Sequence, residues 1–537
     1  MVFSSSIFLF YFLPVFLVVY FLADRKYKNG IALLASLLFY GFGSPKFLFI
    51  LLLSILIDFF IVREMAKSQE PKRKKLFLTL SIILNIGLLA YFKYANFFIE
   101  NFNALIGLFG ANPMRWTKVV LPIGISFFTF QKMSYSVDVY RGTSAPLKSI
   151  FDYALFIMLF PQLIAGPIVR YNEVAQQIVN RQANETLDNK LFGFYRFVIG
   201  LSKKMLIANV LGEYVDKVFA LPANELGMGT TWVGILAYTF QIYFDFSGYS
   251  DMAIGIGRMI GFKFPENFNF PYISKSVTEF WKRWHITLGS WMMDYLYIPL
   301  GGNRKGKGRT YLNLWIVFFL SGLWHGASWN FVAWGAYHGA FICLDKLLKN
   351  GKRKTENGKL STTAGRPFSV FRSPFSVLLT FVIVMVGWVL FRADTLGYAV
   401  QYLGTMFGFN GQAPMVFITP QLVFTLIVAA FFSFLGLSAK VSAKIKSANL
   451  AKEKSANLAN LTNFNSPNSL NSPIINNSPN SLNSPIINNS PNSLNSPTKK
   501  TSPVLSVLAG VVIVVLLLLS ASFILKGSFN PFIYFRF

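Results

Sequence analysis

The chain has three histidines in 537 residues, and all of them fall between Glu279 and Ala340: His285, His325 and His338. Imidazole is the one side chain whose ordinary pKa lies near neutrality, so it can take and return a proton under cellular conditions. His325 has the most informative neighbours. It sits in SGLWHGASWN, between Gly322 and Gly326. Small flanking residues let a substrate come close, and the bulky Trp324, Trp329 and Trp334 can wall a pocket. A neutral imidazole in such a place can take the proton of an alcohol and make its oxygen a nucleophile. His338 follows thirteen residues later. At about 100° per residue that is about 220° around one continuous helix, so the two would not share a face. His285 lies forty residues before His325, and only the fold could bring them together. The plainer reading is three buried structural histidines or interface anchors; their scarcity and clustering favour a site. Zinc could be held by three histidines, but HxxxH and HxH spacings are absent, and no metal is expected.

Other chemistries find less support. The single cysteine, Cys343, excludes an intrachain disulfide and a cysteine metal cluster. It lies in the apolar run AFICLDKLL and reads as a small buried hydrophobe. Asp245, Asp251 and Asp294 could orient a histidine or pair with Arg258, Lys282 or Arg283. Asp138 and Arg141 are three apart, the spacing of a helical ion pair. The turn GGNRKGKGR, residues 301–309, could offer backbone N–H groups and charge to phosphates. It lacks the GK followed by Ser or Thr of a P-loop, so its simplest role is topological. No serine nucleophile elbow and no CxxC is present.

The elements that must position these residues are apolar. Hydrophobic residues make up 53% of the chain and charged ones 13%, with 58 phenylalanines. Ordinary proteins carry roughly 25% charged residues, and a soluble surface could not be covered with so few. Runs near the ~20 residues of a membrane span recur, which predicts a polytopic membrane protein. The formal net charge is +28. The basic residues cluster in short loops such as DRKYKNG, REMAKSQEPKRKK and GGNRKGKGR, which places those loops in the cytoplasm, against anionic lipid headgroups, and argues against a nucleic-acid partner. No Lys or Arg precedes the first run, 7–23, and no small-residue cleavage site follows it, so this run is expected to stay in the membrane.

Further spans are predicted at 31–42 and 46–62, divided by Gly43, Ser44 and Pro45, and then at 76–92. The run 121–142 should break near Pro122 and Gly124. Next come the apolar run 152–165 and, at 191–211, a helix near the interface that carries Arg196, Lys203 and Lys204, its lysines snorkelling. The run 231–260 carries several glycines suited to close helix packing. Spans at 311–324 and 329–344 meet at His325, and others follow at 376–392 and 421–437. Residues 438–503 are Asn-, Ser- and Pro-rich, with NSPNSLNSPIIN at 465–476 repeated at 477–488. They read as a disordered linker. A last span, 504–525, leads to the aromatic tail NPFIYFRF. The domain plan is therefore 1–437, the linker 438–503, and a C-terminal helix and tail 504–537.

Four stretches add a resemblance: QIYFDFSGYSDMAIGIGRMIGF, PENFNFPYISKSVTEFWKRWHITLGSW, DYLYIPLGGNR and GLWHGASWNFVAWGAYHG. They closely resemble the membrane-bound O-acyltransferase family, in its bacterial branch of alginate O-acetylation and D-alanyl-transfer proteins. FPQLIAGPIVRY and FIYFRF look like the alginate type. The resemblance runs to about residue 437 and resumes at the last span. It implies an all-α fold, a ring of tilted and re-entrant helices around a central tunnel. The family's WHG histidine matches His325 and its RWH histidine matches His285, the expected catalytic pair. Trp324 and Asn330 are expected to contact substrate, with Arg304, Lys305 and Lys307 holding the phosphates of acetyl-CoA. It further implies a multi-pass protein of the bacterial inner membrane that passes an acetyl group to an exported polysaccharide. A periplasmic acetyltransferase of SGNH-hydrolase-like type and the polysaccharide export machinery would be its partners. D-alanyl transfer and a transporter without acyl chemistry are the alternatives.

Overall fold

The computed structural model describes residues 2–164, 166–351, 374–409, 418–437 and 503–526. Among these residues every regular element is a helix. Five helices are long and apolar enough to cross a membrane: Pro45–Lys67, Pro71–Gly107, Phe375–Arg392, Pro420–Leu437 and Val507–Leu525. The protein is an all-α polytopic membrane protein. The chain divides into two units, Met1–Phe434 with Ile513–Phe537, and Leu435–Val512. The repeat linker predicted at 438–503 lies outside the described residues, except that Pro503 opens the helix Pro503–Leu525. The aromatic tail is likewise outside them.

Helices facing lipid bury only one side. In Pro45–Lys67, Leu51, Ser54, Ile55, Asp58, Phe59 and Val62 are buried, while Phe49, Leu53, Leu56 and Phe60 are exposed. Apolar side chains on the outer face cost nothing where the solvent is hydrocarbon. The predicted break between the second and third runs falls at Ser44, between helices Lys28–Gly43 and Pro45–Lys67.

The helix Met228–Met259 is different. It has 32 residues, about 48 Å at 1.5 Å per residue, and all but six of them are buried. Its glycines fit it against Leu187–Ser202. A Cβ on Gly200 would stand 2.5 Å from the carbonyl oxygen of Gly248, and one on Gly193 would stand 2.6 Å from that of Gly255. Only hydrogen fits at these crossings, so the backbones touch as they do in membrane helix pairs generally. Cys343 is buried, as its apolar surroundings predict.

Several expected ion pairs are replaced by others. Asp245 pairs with Lys204 at 2.6 Å, with both side chains at most 3% exposed. Lys204 therefore does not snorkel to the interface. Asp251 pairs with Lys203 at 2.6 Å and with Arg196 at 2.7 Å. The close seam with the neighbouring helix puts those cations nearer than Arg258, Lys282 or Arg283. Arg258 instead donates to Asn189, and Arg283 to Glu279. Asp138 and Arg141 do not pair. Asp138 accepts from the Tyr295 hydroxyl at 2.9 Å, and Arg141 donates to the backbone oxygen of Asp294 at 3.0 Å. A helical ion pair is worth only about 0.2–0.5 kcal/mol, and partners from the 290s segment outcompete it.

Lys204→Met leaves the buried Asp245 carboxylate without its cation, a change worth about 3–5 kcal/mol. Thermal unfolding in detergent should show a large loss for Lys204→Met alone. The double variant Lys204→Met/Asp245→Leu should recover much of it.

Candidate active site

His325 is the last residue of the helix Gly306–His325, and Gly326 leaves the helix in an extended conformation. The chain turns back at once into the helix beginning at Trp329. The two helices lie close because Gly322 meets the backbone of Phe331 and Gly335 that of Phe318. A helix end leaves its last carbonyls without partners. Here Lys93 Nζ donates to the carbonyl of Trp324 and, at 3.2 Å, to that of His325, while the Tyr94 hydroxyl donates to Leu323 at 2.7 Å. Lys93 and Tyr94 come from the π-turn Ala90–Tyr94 within the helix Pro71–Gly107. Such a turn shifts the helical register by a residue, a device common at functional sites.

His325 is 6% exposed. Its ring centroid lies 4.9 Å from that of Trp324, 5.0 Å from Trp334 and 5.1 Å from Phe391. Its Nδ1 has no hydrogen-bond partner among the described residues. It lines a cavity of about 160 Å³ with Lys93, Pro122, Gly124, Ser126 and Trp324. Gly124 shapes this cavity. Its φ is +78°, in the left-handed region, and a Cβ there would meet the Leu163 carbonyl at 2.7 Å. The helix break foreseen at Pro122 and Gly124 is thus real, and Ile125 starts the next helix.

His285 comes from a separate segment. It precedes the helix Ile286–Met292 with φ +47° and ψ 52°, a left-handed conformation that costs a non-glycine residue energy and is kept where surroundings enforce it. Asn267 enforces it. The Asn267 carbonyl accepts from Ile286 N at 3.0 Å, and its Oδ1 accepts from Thr287 Oγ1 at 2.9 Å. The same Oδ1 lies 3.0 Å from His285 Nδ1, and Asn267 Nδ2 donates to Ser250. An amide oxygen only accepts, so Nδ1 carries the proton and Nε2 keeps its lone pair. That Nε2 has no protein partner among the described residues. His285 lines a second cavity, about 630 Å³, which also takes in Arg170, Lys282, Asn303, Met292 and Lys346.

The two cavities approach each other at Trp324. The His285 ring lies 6.0 Å from the Trp324 indole, which also forms part of the smaller cavity's wall. The larger cavity reaches Asn303, on the basic turn 301–309, and Lys346, near the end of the helix Trp329–Gly351. His325 is at the far end of a 20-residue helix from that turn, about 30 Å along its axis.

The fold thus assembles His285, Trp324 and His325. It does not bring the other expected residues to them. Asn330 is buried and donates to the Ala393 carbonyl, tying two helices together. Arg304, Lys305 and Lys307 are exposed on the basic turn and line neither cavity; among the described residues the cations lining the larger cavity are Arg170, Lys282 and Lys346. His338 is buried on another helix from His325, so their spacing along one helix has no bearing. Its Nδ1 accepts from Trp281 Nε1 at 3.4 Å. Asp294 pairs with Arg170 rather than with a histidine. Among the described residues no group of three or more His, Cys, Asp or Glu side chains could hold a metal. Two residues escaped the sequence reading. Lys93 interrupts the apolar run LLAYFKYANFF, and a lone lysine at that depth is itself a signal. Asn267 sits in PENFNF, where nothing local separates it from Asn269.

Residues 126–373 match the model of the membrane-bound O-acyltransferase family. A protein of Azotobacter vinelandii described as a probable alginate O-acetylase is 44% identical over 76% of this chain and 79% of its own length. Its counterpart in Pseudomonas putida is 42% identical over 81% of this chain and 87% of its own length. The peptidoglycan O-acetyltransferase of Helicobacter pylori is 38% identical over 76% and 80%. The chain belongs to the membrane-bound O-acyltransferase family and is an O-acyltransferase.

Asn267→Ala removes the side-chain oxygen that fixes the tautomer of His285 and bonds Thr287, while the main-chain bond to Ile286 stays. Acyl transfer should fall by about 10²-fold, the cost of a small misplacement of a reacting group. Ester formed per amount of folded protein measures it.

Proposed function

We propose that this O-acyltransferase takes an acetyl group from acetyl-CoA at the cytoplasmic face of the bacterial inner membrane and delivers it across the bilayer for O-acetylation of an exported polysaccharide, alginate. The observation that carries the reading is the convergence of two cavities, one reaching the basic turn 301–309 and one at the far end of the helix, on His285, Trp324 and His325. The acetyl group and the acceptor follow the names of the Azotobacter and Pseudomonas relatives.

In this reading Arg170, Lys282 and Lys346 meet the anionic phosphates of acetyl-CoA, and the thioester reaches inward along the larger cavity to His285. His285 Nε2, its lone pair held inward by Asn267, orients the thioester end. His325 takes the proton from an acceptor hydroxyl. The freed oxygen attacks the thioester carbonyl carbon, the C–S bond breaks, and the departing CoA sulfur takes the proton from the imidazolium. At about 160 Å³ the smaller cavity falls below the ~300–1,000 Å³ of sites that enclose a drug-sized ligand. It admits a hydroxyl-bearing group rather than a polymer. A periplasmic transferase of SGNH-hydrolase-like type, working with the export machinery, therefore completes the transfer to the glycan.

The catalytic unit is residues 1–437 with the helix from 504. Replacing 438–503 by a scrambled sequence of the same composition should leave acetylation unchanged, because exact tandem repeats specify no site.

Ester-linked acetyl in exported polysaccharide tests the whole reading, in cells making wild type or His325→Ala at matched levels. Acetyl should be lost in the variant alone. Equal acetyl in both would overturn the assignment of His325. A D-alanyl ester in place of acetyl would reassign the donor.

A further inference from the structure

Lys93 lies in a helix long and apolar enough to cross a membrane, where a lysine is costly and almost always faces a cavity or a partner. Among the described residues no carboxylate pairs with it. Its Nζ instead donates to the carbonyls of Trp324 and His325 and, at 3.4 Å, to Ser126 Oγ. It also stands 5.9 Å from the Trp324 ring centre. Facing it across the same cavity are Gly124, Ile125 and Ser126, the first turn of the 17-residue helix Ile125–Arg141. No side chain among the described residues caps that turn. Its Ile125 N–H bonds the Pro122 carbonyl and its Phe127 N–H that of Gly124, and the turn carries the positive end of the helix dipole. Among the described residues the cavity lining includes no Asp or Glu. The buried His325, whose Nδ1 has no partner among the described residues, thus opens into a space whose fixed charge and dipole are both positive.

We propose that this cavity is the oxyanion site of the acyl transfer, with Lys93 as the charge that holds the oxyanion. The inference rests on the acyl-transfer reading above. When the acceptor oxygen attacks the thioester carbonyl carbon, the carbonyl π-electrons move onto oxygen. The acceptor proton resides meanwhile on His325. The Lys93 ammonium keeps two of its hydrogens on the carbonyls of Trp324 and His325 and turns the third from Ser126 to the new oxyanion. The electron pair then returns to re-form the C=O bond, the C–S bond breaks, and sulfur takes the proton from His325. A fixed donor aimed at developing negative charge acts in the transition state and not on the bound thioester.

Lys93→Gln keeps two N–H donors for the carbonyls but carries no charge, whereas Lys93→Arg keeps the charge. Both are compared with wild type and His325→Ala as full-length proteins in cells, at matched levels. The readout is the rate at which ester-linked acetyl accumulates in exported polysaccharide. The dissociation constant for acetyl-CoA and the melting temperature are measured on the purified proteins. Lys93→Gln should slow acetylation by about 10²–10³-fold, the range for loss of one oxyanion donor. Its acetyl-CoA affinity should stay within twofold of wild type and its melting temperature should not change. Lys93→Arg should stay within tenfold of the wild-type rate. A wild-type rate in Lys93→Gln overturns the proposal, and so does a folded Lys93→Arg as slow as His325→Ala. If Lys93→Gln fails to accumulate, the Lys93→Arg rate decides alone. Absence of ester acetyl with wild type would instead count against the acyl-transfer reading itself.

Discussion

A helix that stops inside a membrane protein leaves up to four carbonyls that water cannot reach, and each must find a donor within the protein. The helix Gly306–His325 ends in that situation, and its solution shapes the site. Lys93 and Tyr94 reach across from another helix to take the carbonyls of Leu323, Trp324 and His325. A π-turn puts them in register. The need to satisfy a backbone thus brings a cation to the mouth of the histidine's cavity. It also holds the backbone at Trp324, whose indole lines that cavity. Structure and chemistry make the same demand here, which is why one lysine answers both.

His285 is held by a different logic. Its ring orientation depends on a strained backbone, and the strain depends on the bonds to Asn267. The amide oxygen of Asn267 accepts from Thr287 and from His285, and its amide nitrogen donates to Ser250 on the long buried helix. The RWH segment is thereby anchored to the most buried element of the fold. A rigid second histidine suits a role in orienting a substrate more than one in following it.

Much of this was legible in the sequence. Apolar runs and basic loops located the helices, and the break at Pro122 and Gly124 located the wall of the smaller cavity. The scarcity of histidine pointed to all three alike, and the fold sets His285 and His325 beside Trp324 but His338 against Trp281. The partners of the charged residues were not legible. Asp138 and Arg141 had ideal helical spacing, yet each was claimed by the 290s segment. Asp245 and Asp251 had several cations within sequence reach, and the glycine seam decided in favour of Lys203, Lys204 and Arg196. Cations at the larger cavity come from residues 170, 282 and 346, which no spacing rule connects. Exposed Arg304, Lys305 and Lys307 were conspicuous because they are clustered, and clustering in a loop reports topology before it reports binding. Contacts between distant segments depend on helix packing, and a local pattern cannot encode them.

The indole of Trp324 also has an electrical meaning. A membrane under voltage does work of about 2.3 kcal/mol on each elementary charge per 100 mV, so a continuous wet path from face to face would be a leak. The large cavity ends at His285 and the small one begins at His325, with the aromatic ring between them. An acyl group is neutral and small, and it can be handed past such a partition while ions and hydrated protons are stopped. The transfer proposed above would therefore move a chemical group across an insulator without shorting it.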